Sequence, residues 1–320
     1  MNLLKRFIRL AREEGLCTAF GRGIGSLLTR FSVKHYGFFE KMGVHVIPVH
    51  YYEPIPDRKE LEKRTNLWEN ESALPGIELN VAGQLDFVRT VFPNYREEYI
   101  FPKQKTQIVS EYYLENGNFG AVDAEVAHCM LRHFLPGKVI EVGSGSSTRL
   151  MARACLLNKE RSGKDTRLFV VDPYPDEAVA GGFPGLVSLT KEKAENVPLE
   201  FFLQLGGGDI LFIDSSHVVQ TGNDVNFLFL DVLPGLKPGV IIHVHDIFLP
   251  REYPKEWMYE LQRFCSEQYL LQAFLAYNNA FEVLWCGSYM HLHHAPELKA
   301  AFPSYDGSSW TSSFWMRKKI

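Results

Sequence analysis

The sequence predicts a doubly wound α/β fold with a mostly parallel sheet, preceded by an N-terminal helical and irregular cap. Three observations carry that expectation. After Asp123, short apolar runs alternate with helix-length runs; the first apolar run empties into the glycine loop Gly143-Ser144-Gly145; and residues 1–110 lack any such alternation. We therefore divide the chain into a cap, 1–110, and an α/β domain, 111–320. With 320 residues, 46% of them hydrophobic and 22% charged, the chain can bury a large core and is not of disordered or fibrous composition. A net charge of −4 argues against a protein that lives by neutralising nucleic-acid phosphates. The five cysteines are odd in number, scattered and free of Cys-x-x-Cys pairs, which points to a reducing, cytoplasmic setting.

Residues 1–45 carry eight Lys/Arg against three acids. Within them Leu3, Phe7, Leu10 and Glu14 share a helical face, joined by Leu4 and Ala11, with Lys5, Arg6, Arg9 and Arg12 largely opposite. This predicts a basic amphipathic helix, too short to span a bilayer, that packs on the domain or on a partner subunit of a homo-oligomer rather than attaching to a membrane, with peripheral attachment to anionic lipid as the alternative and no stable membrane insertion. From Val44 to about Glu115 the chain is irregular and rich in aromatics and prolines, including Tyr51, Tyr52, Trp68, Phe92 and Tyr99, and reads as a lid over the scaffold.

In the α/β part, Asp123 is placed to cap a helix Ala124–Phe134 that ends at Pro136-Gly137. Lys138–Val142 is a buried strand, the glycine loop follows, and a helix runs to Leu157 before a charged loop from Asn158 to Thr166. Leu168–Val171 is the second strand, with a glycine-rich connection through Gly181, Gly182 and Gly185. A helix Leu199–Leu205 leads to the strand Asp209–Ile213, and a helix Val225–Leu233 leads to the strand Val240–Val244. Tyr269, Phe274 and Tyr277 read as a core stripe, and the His291-Leu-His293-His294 run as a solvent-facing loop.

A strand that opens through glycines onto a helix N-terminus presents backbone N–H groups to a polar or anionic ligand. A dinucleotide fingerprint would place Gly or Ala at the third motif position, where Thr148 stands. Read as acidic-x-Gly-x-Gly-x-small, Glu141, Gly143, Gly145 and Ser147 resemble motif I of the class I S-adenosylmethionine (SAM)-dependent methyltransferases. Other features fall in the family's order: Asp172 ending the second strand, Glu195-Asn196 in the loop that meets adenine, Asp214 after the fourth strand, and Leu233-Pro-Gly-Leu-Lys-Pro-Gly239 before the fifth. Phe281–Cys286 and Ser313–Arg317 look like its antiparallel last pair. The resemblance implies a Rossmann-like seven-stranded sheet and SAM binding by Glu141, Gly143, Gly145, Ser146, Ser147, Asp172, Glu195, Asn196, Asp214 and Ser215.

Within the class, residues 212–217 and 243–248 look most like small-molecule and sugar O-methyltransferases of the macrocin and catechol types. That implies transfer to a hydroxyl of a sugar, glycolipid or specialised metabolite, as in natural product biosynthesis. In the catechol type an acid after strand four and an adjacent pair after strand five hold a divalent ion, and the matching positions here are Asp214, His245 and Asp246. An imidazole in that set shifts preference from Mg towards Mn, Fe or Zn. With no ion, His245 or His217 would act as general base beside Asp214. Tyr253, Trp257 and Asn278 are within reach of an acceptor pocket, whereas His243 is left out of the catalytic set. Two further readings stay open: a metal-dependent oxygenase on this scaffold, and a non-catalytic SAM-binding interaction protein.

Overall fold

The computed structural model describes Arg9, Arg12, residues 15–308 and residues 310–320. The amphipathic helix expected over residues 3–14 lies outside the described residues, apart from Arg9 and Arg12, which are helical. The chain forms two compact units, Met1–Leu67 and Trp68–Ile320. Residues 68–110 of the expected cap thus belong to the second unit. Among the described residues, no helix is long and apolar enough to cross a membrane.

In the first unit, Gly15 precedes a helix α1 (Leu16–Lys34). Ser32 on α1 is buried, and its hydroxyl donates to Val46 O (3.0 Å), which ties the helix to the extended chain after it. Tyr51 and Tyr52 further along are exposed.

The second unit is built on seven strands: β1 (Lys138–Val142), β2 (Arg167–Val171), β3 (Leu186–Thr190), β4 (Ile210–Ile213), β5 (Ile241–Val244), β6 (Phe281–Cys286) and β7 (Phe314–Lys318). Their order is β3-β2-β1-β4-β5-β7-β6. All neighbours from β3 to β5 run parallel, and β7 is antiparallel to both β5 and β6. Helices follow from the same pattern: α2 (Asp123–Phe134), α3 (Ser146–Ser162), α4 (Leu199–Leu203), α5 (Asp224–Phe227, drawn on through a wider turn Leu228–Val232), α6 (Glu267–Leu275), α7 (Gly287–His293) and α8 (Ala295–Ala301). The central strands are apolar nearly end to end because both faces are covered. Alternation then assigns the layers. Val139, Ile210 and Phe212 enter one core with α2 and α3, while Ile140, Val142, Leu211 and Ile213 enter the other with α4, α5 and α6.

Several local expectations are corrected. Asp123 does not cap α2. Val122 stands at that position, its N–H held by Glu125, while the Asp123 carboxylate accepts from the N–H groups of Ser312 (2.9 Å) and Ser313 (3.1 Å) ahead of β7. Helix α3 continues past Leu157 to Ser162, because Asn158 is buried and bonds Leu131 O (3.1 Å), the Thr166 hydroxyl (3.0 Å) and Arg132. The glycine-rich connection holds a short helix, Glu177–Gly181, and the edge strand β3, whose Leu-Val-Ser-Leu-Thr run is half exposed. Phe92, Tyr99, Phe101, Tyr112 and Phe119 are core rather than lid: Phe92 is fully buried, 5.5 Å from both Trp285 and Phe302. Tyr269 and Tyr277 are exposed and Phe274 is only partly buried, so the expected stripe is not core. The histidine run is helical, with His291 bonded to the Tyr305 hydroxyl (2.9 Å) and His293 to Glu71 (2.8 Å).

Candidate functional site

Strand order reverses between β1 and β4, so the connections leaving β1 and β4 diverge and leave a crevice beyond their C-terminal ends. A cleft of about 410 Å³ occupies it, a volume suited to a cofactor-sized ligand. Gly143 forms its floor at φ +86°, and a Cβ there would lie 1.8 Å from Asp214 O, so only glycine lets the β1 loop pass under the β4 loop. Asp172 leaves β2 beside it; one carboxylate oxygen accepts from the Tyr174 N–H (2.7 Å) and the other from the Ser144 hydroxyl.

Of the residues assigned to cofactor binding, Gly143, Asp172, Glu195, Asp214 and Ser215 line this cleft, and Glu141, Gly145, Ser146, Ser147 and Asn196 do not. Glu141 and Ser147 instead brace the loop from behind. Glu141 is fully buried, accepts from the Ser147 hydroxyl (2.6 Å), and has its pKa pushed up to about 8 by burial. Asn196 turns away to Glu192 (2.9 Å). Ser144, Tyr174, Lys193, Asn223 and Asp224 line the cleft without having been singled out from sequence. The Ser215 hydroxyl is buried without a partner.

Asp214 also belongs to a second cluster. His217 Nε2 lies 3.3 Å from Asp214 and 3.5 Å from Asp246, while its Nδ1 lies 2.8 Å from Glu267, a carboxylate 1% exposed at the start of α6. The His217 carbonyl accepts the N–H groups of Ser266 (2.8 Å) and Glu267 (3.1 Å), so the first turn of α6 grips the loop after β4. His217 (φ +59°) and Asp246 (φ +56°) both occupy the left-handed region, a cost of about 1–3 kcal/mol each that these contacts sustain. Burial alone would lower the His217 pKa, but hydrogen bonds to Asp214 and Glu267 and the nearby Asp246 raise it well above its ordinary value. Burial would raise Asp214, yet the His245 and His217 charges hold it down at about 2.

His245 sits deeper. Its ring packs 4.9 Å from Phe119, its Nε2 is 3.7 Å from Asp246, and its Nδ1 has no partner. Burial lowers its pKa, but Asp214, Asp246 and Asp123 outweigh burial and raise it. His243 stacks 3.8 Å from Phe212 and 4.7 Å from Trp315, and burial drives its pKa well below the ordinary value. Among the described residues, the donors that converge within 4.8 Å are Asp214, His217 and Asp246. His217 therefore joins the two carboxylates where the resemblance had put His245. Glu267 carried no sequence signal, since only the fold brings it across to His217. Tyr253 is buried and structural, its hydroxyl accepting the Gln268 N–H (2.9 Å), and Trp257 stacks against it at 5.9 Å. Asn278 lines a separate cavity beside Gly76 and Phe281.

Residues 140–247 match a family model described as a methyltransferase domain. An uncharacterized protein of Archaeoglobus fulgidus is 27% identical over 161 residues, 48% of this chain and 71% of that one. Among solved structures, an apo-structure of CmcI is similar at 18% identity and a TM-score of 0.38, over 62% of this chain and 71% of that one. The MycE methyltransferase from the mycinamycin biosynthetic pathway, solved with Mg, SAH and mycinamycin VI, is similar at 13% identity and a TM-score of 0.32, over 59% of this chain and 47% of that one. The methyltransferase-domain match opens in β1 and closes just past Asp246, so it spans the glycine loop, Asp172 and both loop clusters on a sheet with the reversed last strand.

Proposed function

We propose that the protein transfers a methyl group from SAM, held in the cleft over Gly143, to a hydroxyl of a small molecule at the Asp214–His217–Asp246 cluster. The acceptor class, a sugar, glycolipid or specialised metabolite, rests on the resemblance of residues 212–217 and 243–248. The five free cysteines support a cytoplasmic setting. One observation carries the reading: Asp214 is at once a wall of the cleft and a member of the cluster, so cofactor and acceptor chemistry share an edge.

The cleft fits the cofactor by its chemistry. Asp172 offers two acceptor oxygens for vicinal ribose hydroxyls once Ser144 swings away, and Glu195 can accept from an exocyclic amine. Ser215, whose buried hydroxyl has no partner, lines the same space. When bound, the sulfonium supplies an electrophilic methyl that needs an aligned, deprotonated acceptor rather than further activation. Supplying that acceptor falls to the cluster.

The cluster also fits a divalent ion. Two carboxylates and an imidazole nitrogen converge, and Glu267 fixes the Nδ1 side of the ring so that Nε2 faces Asp214 and Asp246, as a carboxylate behind a metal-bound histidine does. Asp214, His217 and Asp246 would hold the ion, whose chemistry is to lower the pKa of an acceptor hydroxyl; the nitrogen donor favours Mn, Fe or Zn over Mg. His245 lies one step back from this set and neighbours Asp246, placed to pass on a proton. Calorimetry tests the cofactor half: Asp172→Ala should weaken SAM binding by about 1.5–3 kcal/mol in a protein that still folds. Unchanged affinity would move the cofactor elsewhere. Metal analysis tests the other half, with Asp246→Ala expected to lose bound metal and keep SAM binding.

A further inference from the structure

In the first unit, α1 carries a feature that methyl transfer does not use. Leu16, Phe20, Ile24, Leu27 and Phe31 follow one another at steps of four, four, three and four, so they form one stripe, with Leu28 beside it. These six side chains are 45–70% exposed. Ala19 and Ser32, which flank the stripe on either side, are buried, and Ser32 is tied to Val46. The stripe continues past the helix in Tyr36, Phe38 and Met42, all exposed. A contiguous apolar face of this kind marks an interaction surface.

Charge selects the occupant. From Gly15 to Phe39 there is no acid, whereas Arg22, Arg30 and Lys34 are basic, and Arg30 and Lys34 border the stripe three residues beyond Leu27 and Phe31. Two copies meeting through this face would set basic borders against a partner stripe with no acid to receive them. An anionic bilayer surface answers both properties, taking the apolar stripe between its headgroups and the bases onto its phosphates. The face away from the stripe carries Thr18, Arg22, Gly25, Ser26, Thr29 and Val33, mostly small or polar groups on the water side. We propose that α1 lies in the plane of an anionic membrane surface and docks the enzyme there reversibly, which places the catalytic unit beside acceptors carried in or released from that membrane.

The test is co-sedimentation of the full chain with phosphatidylcholine vesicles and with vesicles mixed with phosphatidylglycerol, at physiological salt. Binding to the mixed vesicles is expected, reduced at least about tenfold by Phe20→Ser with Leu27→Ser, and stripped of its anionic preference by Arg30→Gln with Lys34→Gln. Protein that stays in the supernatant with both vesicle types overturns the proposal, as does undiminished binding by the Phe20/Leu27 variant. Light scattering and melting on the same proteins identify the rival occupants. A dimer that the apolar variant dissolves points to a second copy, and a lowered melting temperature with no vesicle binding points to cover from within the chain; either overturns it. Calorimetric SAM affinity, expected to be equal in all variants, keeps this outcome separate from failure of the methyltransferase reading.

Discussion

At Gly143 the constraint is steric and local: a methyl group would meet a backbone carbonyl at 1.8 Å in a left-handed residue, and neither can move without breaking the β1–β4 junction. Gly143→Ala should cost at least about 2 kcal/mol by overpacking and positive-φ strain, visible as a lowered melting temperature together with lost SAM binding. Glu267 acts through His217. Glu267→Gln keeps an acceptor for Nδ1–H, whereas Glu267→Leu leaves it bare, so the second variant alone should lose about ten- to hundredfold in Mn²⁺ affinity by titration. Equal affinity in both would make Glu267 merely structural. Glu141 gives a prediction of opposite character. Its folded pKa, about 8, lies above the unfolded value near 4.3, so its contribution is full below about pH 4 and declines as pH rises through 8. Denaturation between pH 5 and 9 should show Glu141→Gln flattening that decline and exceeding the parent in stability at the alkaline end. Residue identity was the most legible level for the loop: Gly143, Asp172 and Asp214 were readable because their types follow strand ends in a fixed order. Glu141 and Ser147 showed the right pattern but brace the loop, since a motif gives position along the chain and not the side of the strand a carboxylate faces.

Elements were legible where burial imposes a period and obscure where one side chain decides the boundary. The strands β1, β4 and β5 stand within a residue or so of expectation because continuous apolar runs have few alternatives. Edge strand β3 is short and half solvated, so its pattern carried no such signal. The end of α3 depends on Asn158, a polar residue that reads as loop yet is buried between α2 and the start of β2. Nearby, Glu98 joins the segment before α2 to both α2 and α3 through Arg132 (2.6 Å), Arg161 (3.1 Å) and His128 (3.1 Å). Burial opposes its ionisation, but the His128 and Arg132 hydrogen bonds hold its pKa at about 2. A carboxylate depressed in this way stabilises the fold above its unfolded pKa near 4.3, and the gain is lost as pH falls through 2. Screening at the half-exposed Arg161 keeps the gain to about 1–2 kcal/mol. Removing the charge leaves Arg132 buried without a counter-ion, so Glu98→Gln should destabilise by about 3 kcal/mol or more at neutral pH in chemical denaturation, and the variant should lose the parent's acid-limb slope.

Across the whole molecule, the sheet order explains why the cleft and the loop cluster, built from segments distant in sequence, share one carboxylate. Asp172 reaches the cleft from β2, Asp246 and His217 reach the cluster from β5 and β4, and among these residues Asp214 alone touches both, because β4 is the strand beside the switch point. The alternation of strands and helices made this topology readable, while the third member of the cluster was not: His245 is adjacent to Asp246 in sequence, but the left-handed turn at Asp246 and the grip of α6 on His217 bring the other histidine forward. The geometry predicts a pattern of linkage rather than a single loss. Asp172→Ala should weaken SAM alone, Asp246→Asn should weaken Mn²⁺ alone, and Asp214→Asn should weaken both. In the parent, SAM and Mn²⁺ should each change the other's affinity by the same factor, as linkage between two sites requires, at a coupling of about 1–3 kcal/mol. Calorimetry of each ligand in the presence and absence of the other measures it in all four proteins. The coupling should vanish in Asp214→Asn and survive in Asp172→Ala; coupling that persists without the Asp214 charge would show that the cleft and the cluster communicate through something other than the carboxylate they share.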